Sequence, residues 1–222
     1  MERTVDIEPS SRDGLEWAQR MVTENHYLHS PVDQRCRPLA YVIWLTTDHD
    51  VKRIGCLIYG RPEATRCYQG RLTYGSYQDV LSGRAKYDRW EILNLARVWL
   101  DPCVQKGGAD YVHHAASTAI KESLQRVGFE YLQLHPPVDC SYPYKIRCVL
   151  SYCDTSKHNG WIYLASRFKL ARTNENGIQT YMKTIPPMTQ EQDKRIVKLS
   201  LASKRSQRIR GQREQEALQM SF

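Results

Sequence analysis

Three side chains capable of chemistry stand close together in one stretch, C-V-L-S-Y-C-D-T-S-K-H-N-G-W-I-Y-L-A-S-R-F: Asp154, His158 and Tyr163. A carboxylate can accept a proton, an imidazole can give or take one, and a phenol can donate a hydrogen bond or stack. The apolar run from Cys148 to Tyr152 suits a buried strand and is too short for a helix. Thr155 to Gly160 are turn and cap formers, and Trp161, Ile162, Ala165 and Phe168 then follow at nearly helical spacing. The pattern is strand, polar loop, helix, and it gathers the three groups at the carboxyl end of a strand, where an α/β sheet opens to its ligand. His158 could equally well serve only to shape the turn.

Two further places carry such groups. His26-Tyr27-Leu28-His29 follows the first helix, and reads either as an ordinary post-helix contact or as part of a site. Arg97 sits in E-I-L-N-L-A-R-V-W-L (91–100), a strand whose alternation puts Ile92, Asn94, Ala96 and Val98 on one side and Leu93, Leu95, Arg97 and Trp99 on the other. An arginine among such neighbours needs a carboxylate, phosphate or carbonyl partner. A structural ion pair with Asp154 or Glu91 is the alternative to an anion-binding role. His26 and Tyr27 with a carboxylate would offer iron a ligand set of the facial His/carboxylate kind, although the spacing fixes no second histidine.

The elements that must hold these residues follow from the chain in order. Thr4 to Glu8 alternates as a strand, and Ser10 or Ser11 caps a helix ending near Glu24-Asn25. Leu39–Thr46 and Arg53–Tyr59 form a hairpin joined by Thr47-Asp48-His49-Asp50, and Gly60-Arg61-Pro62 ends its second strand. After Asp101-Pro102 the spacing predicts a helix opening over Val104–Ala109 and running through His113, Ala116, Ile120 and Leu124, then a connector from Phe129 to Pro143. Backbone N–H groups at such a helix start can hold a pyrophosphate, which makes Gln105, Gly107 and Gly108 cofactor candidates. Asp110 would point a carboxylate at that pyrophosphate, and an ordinary glycine turn explains the same residues. Two late strands, Phe168–Arg172 and Ile178–Lys183, are joined by a turn containing Asn176-Gly177.

Two stretches suit nucleic acid. Residues 61–90 form an irregular insertion in which Arg66, Arg71, Arg84 and Lys86 alternate with tyrosines and Trp90, as in a loop laid against phosphates and bases. Tyrosine rings folded back over the sheet are the alternative. The segment 186–222, after Pro186-Pro187, is a basic, partly helical extension whose Lys204, Arg205, Arg208 and Arg210 could contact phosphates or simply face solvent. Residues 1–185 would then be the catalytic domain.

The block S-Y-C-D…K-H-N-G-W-I-Y-L-A-S-R-F resembles S-Y-A-D…H-x-G-x-I-Y-x-A-x-x-W/F of the Mom proteins, the adenine-modifying proteins of tailed phages. With His26-Tyr27 and Arg97 in matching order, the resemblance spans about residues 24–181. It implies a GNAT-like N-acyltransferase fold: an α/β domain with a central mixed sheet flanked by helices. It implies conversion of the adenine N6 amino group in double-stranded DNA to a carbamoylmethyl-type adduct that protects phage DNA from host restriction. On this reading Asp154 accepts a proton, Arg97 orients the donor, and Tyr27 or Tyr163 provides an aromatic platform for an extruded base. True acetyltransferases carry R/Q-x-x-G-x-G/A at the helix start. Here Gln105 and Gly108 survive but Asp110 replaces the last small residue, which disfavours acyl-CoA.

The totals fit this outline. The chain has 222 residues and a formal net charge of +8, which suggests an anionic partner without selecting one. Seven cysteines with no C-x-x-C pair favour reduced thiols and a cytoplasmic setting. No apolar run approaches a membrane span. The expected partners are duplex DNA and a small-molecule donor of unknown identity, no membrane, and a homodimer is left open. The rival expectations are an acyl-CoA-dependent N-acetyltransferase and a non-catalytic DNA-binding protein.

Overall fold

The structure is a computed structural model that describes residues 3–63, 74–137 and 145–219, with side chains to 210. The chain runs β1 (Thr4–Pro9), α1 (Arg12–Asn25), β2 (Leu39–Thr46), β3 (Val51–Gly60), β4 (Tyr74–Gly75), α2 (Tyr77–Leu81), β5 (Tyr87–Asp88), β6 (Ile92–Leu100), α3 (Ala115–Leu134), β7 (Cys148–Asp154), α4 (Trp161–Ala165), β8 (Lys169–Thr173), β9 (Ile178–Thr184) and α5 (Gln190–Gln219). Seven strands form one mixed sheet in the order β1-β2-β3-β6-β7-β9-β8. Every neighbouring pair is antiparallel except β6 and β7, which run parallel.

Period-two patterning sorts the strand residues onto two faces. Leu39, Tyr41, Ile43 and Leu45 of β2 join Ile54, Leu57 and Tyr59 of β3 in the larger core, packed against Ile120, Leu124, Val127 and Tyr131 of α3. Each such aliphatic side chain contributes about 1.5–3 kcal/mol by leaving water. Ile196 of α5 belongs to the same core and is 1% exposed, so the first turns of that helix are anchored by burial. The opposite face is covered by α1, through Ala18 and Val22 against Ala40, Cys56 and Ile58. Ser11 starts α1 by accepting the Gly14 N–H in its side chain.

Local signals misplace three features. The helix expected from Val104 begins at Ala115, after a 3-10 turn over Pro102–Val104 and a closed loop. Gly128 does not end it. The helix passes straight through to Leu134, and a Cβ at Gly128 would lie 2.9 Å from Ile185 Cδ1 and 3.5 Å from Ile146 Cβ. Close helix-to-sheet approach, rather than a stop signal, accounts for that glycine. The described part of the 61–90 insertion is ordered. β4 and β5 pair, Ser76 and Asp79 form a capping box on α2, and Tyr74 and Tyr87 are buried against Ile92, Leu150 and Met182. The Tyr74 and Tyr87 rings therefore cover the sheet, as in the second of the two alternatives, whereas Tyr77 is exposed.

The third departure bears directly on the site. Ile58 pairs with Arg97 while Tyr59 pairs with Leu95, so Ala96 is an extra residue on β6. Such a bulge re-aims the side chains beyond it. Leu93 and Leu95 face the α3 core, but so do Val98 and Leu100, whereas Ala96 and Trp99 pack toward α1. Strict alternation would put Arg97 beside Leu93 and Leu95; the bulge turns it to the α1 side.

Candidate active site

β6 and β7 pair over three residues only, Ile92 with Cys148, Leu93 with Val149 and Asn94 with Leu150. The Ser151 hydroxyl then donates to the Leu95 carbonyl at 2.8 Å, closing the shared ladder with a side chain. Beyond that point the strands part. The cavity between them is about 690 Å³ and is lined by Arg97 and Asn94 of β6, Cys153 and Asp154 of β7, His158, Trp161 and Tyr163 from the following turn and helix, and His26 and Tyr27 after α1. The sequence-derived catalytic set, His26, Tyr27, Arg97, Asp154 and Tyr163, thus shares one cleft with His158.

Asp154 ends β7. Its Oδ1 accepts the Ser156 N–H at 2.9 Å and the Ser156 hydroxyl at 2.7 Å, leaving Oδ2 without a donor among the described residues. These hydrogen bonds first, then Lys157 and His158, hold the carboxyl below its ordinary range, so it is ionised at neutral pH. The turn continues with Lys157 and His158 donating their N–H groups to the Asp154 carbonyl, and Gly160 enters α4 at φ +70°. A Cβ there would lie 2.3 Å from the Tyr181 hydroxyl, so only glycine fits.

His26 caps the end of α1, and its Nδ1 accepts the Leu28 N–H at 3.2 Å. That bond places the imidazole proton on Nε2. Burial, followed by the Arg97 charge, lowers its pKa to about 4, which makes it a neutral donor at pH 7. Its ring stacks on Tyr27 at 4.4 Å, and Tyr27 meets His158 edge-on at 4.8 Å. Burial and then the Asp154 charge raise the Tyr27 pKa, so it remains a phenol.

Arg97 is held by carbonyls. It donates to Ser30 O at 3.4 Å, Ser30 Oγ at 3.2 Å and Ala96 O at 2.8 Å, and no described carboxylate reaches it within ion-pair distance. The structural ion pair considered for it is absent among the described residues: Glu91 pairs instead with Arg147 at 3.2 Å. Its half-buried guanidinium is a cation that a ligand oxygen can reach. Tyr163 lies deeper, 8% exposed, stacked on Tyr181 at 5.0 Å, with burial pushing its pKa up to about 12. It forms a wall of the cleft and belongs equally to the core.

The other expectations divide. Gln105, Gly107 and Gly108 lie in a closed loop and not at a helix start. Gly108 N–H donates to Gln105 O, Asp110 N–H to Cys103 O, Tyr111 N–H to Gly108 O and Val112 N–H to Val104 O. These amides are committed within the loop. Asp110 pairs with Lys52 at 2.5 Å and Arg3 at 3.5 Å. Those four amides are therefore not available to the pyrophosphate considered for this loop.

Nor does the donor set fit iron at His26 and Tyr27. Among the described residues no three His, Cys, Asp or Glu side chains come together to hold a metal, His26 Nδ1 is occupied by Leu28, and an arginine stands beside the ring. Of the nucleic-acid candidates, Arg66 and Arg71 lie outside the described residues. Arg84 pairs with buried Asp79 at 3.1 Å, Lys86 lies over the Tyr87 ring at 5.4 Å, and Lys204, Arg205, Arg208 and Arg210 are exposed on α5.

Sequence reasoning missed Ser30, Ser151, Asn94 and Cys153. Ser30 and Ser151 act through backbone geometry that no local pattern displays, Cys153 becomes a lining residue only because β6 and β7 part, and Asn94 is the last β6 residue paired with β7 at the cleft's edge. The five described cysteines, Cys36, Cys56, Cys103, Cys148 and Cys153, are free thiols. Among the described residues, no helix is long and apolar enough to cross a membrane.

The chain matches no protein family and no curated protein. Among solved structures it is similar to a domain from Methanocaldococcus jannaschii, at 7% identity and a TM-score of 0.45, covering 83% of this chain and 100% of that one. It is also similar to the Campylobacter jejuni N-acetyltransferase PseH in complex with acetyl coenzyme A, at 11% identity, a TM-score of 0.37 and coverage of 82% and 99%. A GNAT-family acetyltransferase from Staphylococcus aureus aligns at 8% identity, a TM-score of 0.38 and coverage of 82% and 100%. The fold itself is α/β: a mixed seven-stranded sheet, parallel only at β6 and β7 and flanked by helices, which is the arrangement expected of a GNAT-like domain.

Proposed function

We propose that the cleft between β6 and β7 is the active site of a group-transfer enzyme acting on an amine, and that the amine is N6 of adenine in duplex DNA, converted to a carbamoylmethyl-type adduct. The observation that carries the reading is the meeting, in one cavity, of groups widely separated along the chain: His26 and Tyr27, Arg97, and Asp154 with Tyr163. Each has a role its environment supports. The adenine amine is conjugated and poorly nucleophilic, and it must leave the stack to react. Tyr27 and Trp161 offer aromatic faces to an extruded base. As the nitrogen attacks the donor carbon it becomes strongly acidic, so the ionised Asp154 can receive its proton despite a low pKa. As that bond forms, the bond from the donor carbon to its leaving group breaks, and Arg97 with the Nε2–H of His26 can stabilise the leaving oxygen as it departs with the electron pair. The exposed basic residues of α5 supply a sequence-independent attraction for phosphates.

A second reading, an N-acyltransferase drawing on an acyl thioester, is favoured by the GNAT-like architecture and uses the same acceptor side. The amides of Gly108, Asp110, Tyr111 and Val112, already committed within the 105–112 loop, weigh against it. One experiment separates the two: purified protein is given acetyl-CoA with duplex DNA or a panel of simple amines, and thiol release is followed. The adenine reading predicts no DNA-dependent release of free thiol. Turnover of the thioester, abolished by Asp154→Ala, would replace it with the second reading.

A further inference from the structure

On the α1 face of the sheet, beyond the cleft, two tryptophans flank one arginine and a third extends the group. Arg53 of β3 lies over the Trp17 ring at 5.3 Å and over the Trp44 ring at 5.2 Å. Trp17 in turn meets Trp99 edge-on at 6.1 Å. The register holds the group together. Trp44 pairs directly with Arg53 while Ile43 pairs with Gly55, so the extra residue Ile54 goes into the core and leaves Arg53 on the α1 face. Arg53 is exposed, and it makes no ion pair or hydrogen bond to a described residue.

The two indoles hold the guanidinium by cation–π attraction, and its N–H groups make no hydrogen bond to a described residue. A planar fork held this way is suited to an oxyanion. Trp99 is two residues beyond Arg97 on the same side of β6, about 7 Å along the strand. The tryptophan group therefore continues outward from the cation of the cleft, and Arg97 and Arg53 mark successive positive points along one face with no ion pair to a described carboxylate at either; Glu63, which lines the cleft, acts on Arg97 only through its charge.

We propose that Arg53, clamped between Trp17 and Trp44, grips a backbone phosphate of the duplex DNA whose adenine enters the cleft. This rests on the DNA reading given above and adds the direction in which the nucleic acid leaves the site: across α1 and the β2–β3 hairpin. Indole faces at the strip's edge give a neighbouring unpaired nucleotide a surface to stack on.

The test is binding of a fluorescent DNA duplex by the full chain over a range of salt concentrations. Arg53→Gln should weaken binding several-fold and make the plot of log affinity against log salt shallower by about 0.9, the value for a single phosphate no longer neutralised. Arg53→Lys keeps the charge and should keep the slope. Melting of each variant separates a folding defect from a missing phosphate grip. Equal affinity and slope for wild type and Arg53→Gln would overturn this inference while leaving the cleft reading to its own nucleoside assay. Binding of inorganic phosphate as tightly as duplex would overturn it too, and a wild-type chain that does not bind duplex at all would overturn both.

Discussion

His26 carries the clearest pH signature in the cleft. In the unfolded chain it takes up a proton near its ordinary value of 6.5, but in the fold only near 4, because burial and Arg97 oppose the charge. Between those values the unfolded state binds more protons, so stability falls as pH drops through the window. His135, depressed mainly by burial, adds to the same loss. Asp33, Asp110 and Asp154 act elsewhere: their carboxyls are held low, and their contribution disappears only below the ordinary carboxylate value. Denaturant unfolding followed from neutral to mildly acid pH should show His26→Gln flattening part of the decline. An unchanged profile would mean that His26 is not buried as neutral imidazole. At Gly160, substitution by alanine meets both a left-handed backbone and the Tyr181 hydroxyl. It should cost about 1–3 kcal/mol in the same measurement. These residues are legible from type and order alone, because Asp154, His158 and Gly160 sit in one short turn. The ionisation of Asp154 and His26 is not, since the first depends on Ser156 and the second on burial and Arg97.

At the level of elements, the strand, polar loop and helix around Asp154 can be read from local pattern because capping and hydrophobic spacing are local signals. The path of β6 cannot. Its bulge at Ala96 is set by pairing with β3, a strand distant in sequence, and that pairing decides where Arg97 points. The start of α3 escapes local reading for a related reason: a glycine pair suggests a helix entry, but the chain closes a loop through Asp110 and Val112 before turning helical. Ser151 is the hinge of the cleft. Ser151→Ala leaves the buried Leu95 carbonyl without its donor and should cost about 1–3 kcal/mol. Ile196→Ala should cost about 2–5 kcal/mol, whereas Leu201→Ala, at 62% exposure, should fall within about 0.5 kcal/mol of wild type. Equal effects would contradict the anchoring of α5 through its first turns.

For the whole molecule, half of the net charge of +8 lies in residues 190–222, where Lys204, Arg205, Arg208, Arg210 and Arg213 follow the anchored part of α5. Removing residues 201–222 keeps Ile196 and should leave the melting of the core nearly unchanged. Duplex affinity should become less salt-dependent, by up to about 0.9 for each phosphate that the removed residues neutralise. The central claim is chemical: a carboxylate, a guanidinium and a histidine–tyrosine pair act together on adenine. Its most direct test is to co-express the chain with a plasmid, digest the DNA to nucleosides and weigh them by mass spectrometry, alongside Asp154→Ala and Arg97→Met. The account predicts a heavier deoxyadenosine with the wild-type chain and its disappearance in both variants. Unmodified deoxyadenosine throughout, or adducts that survive the removal of Asp154, would contradict it.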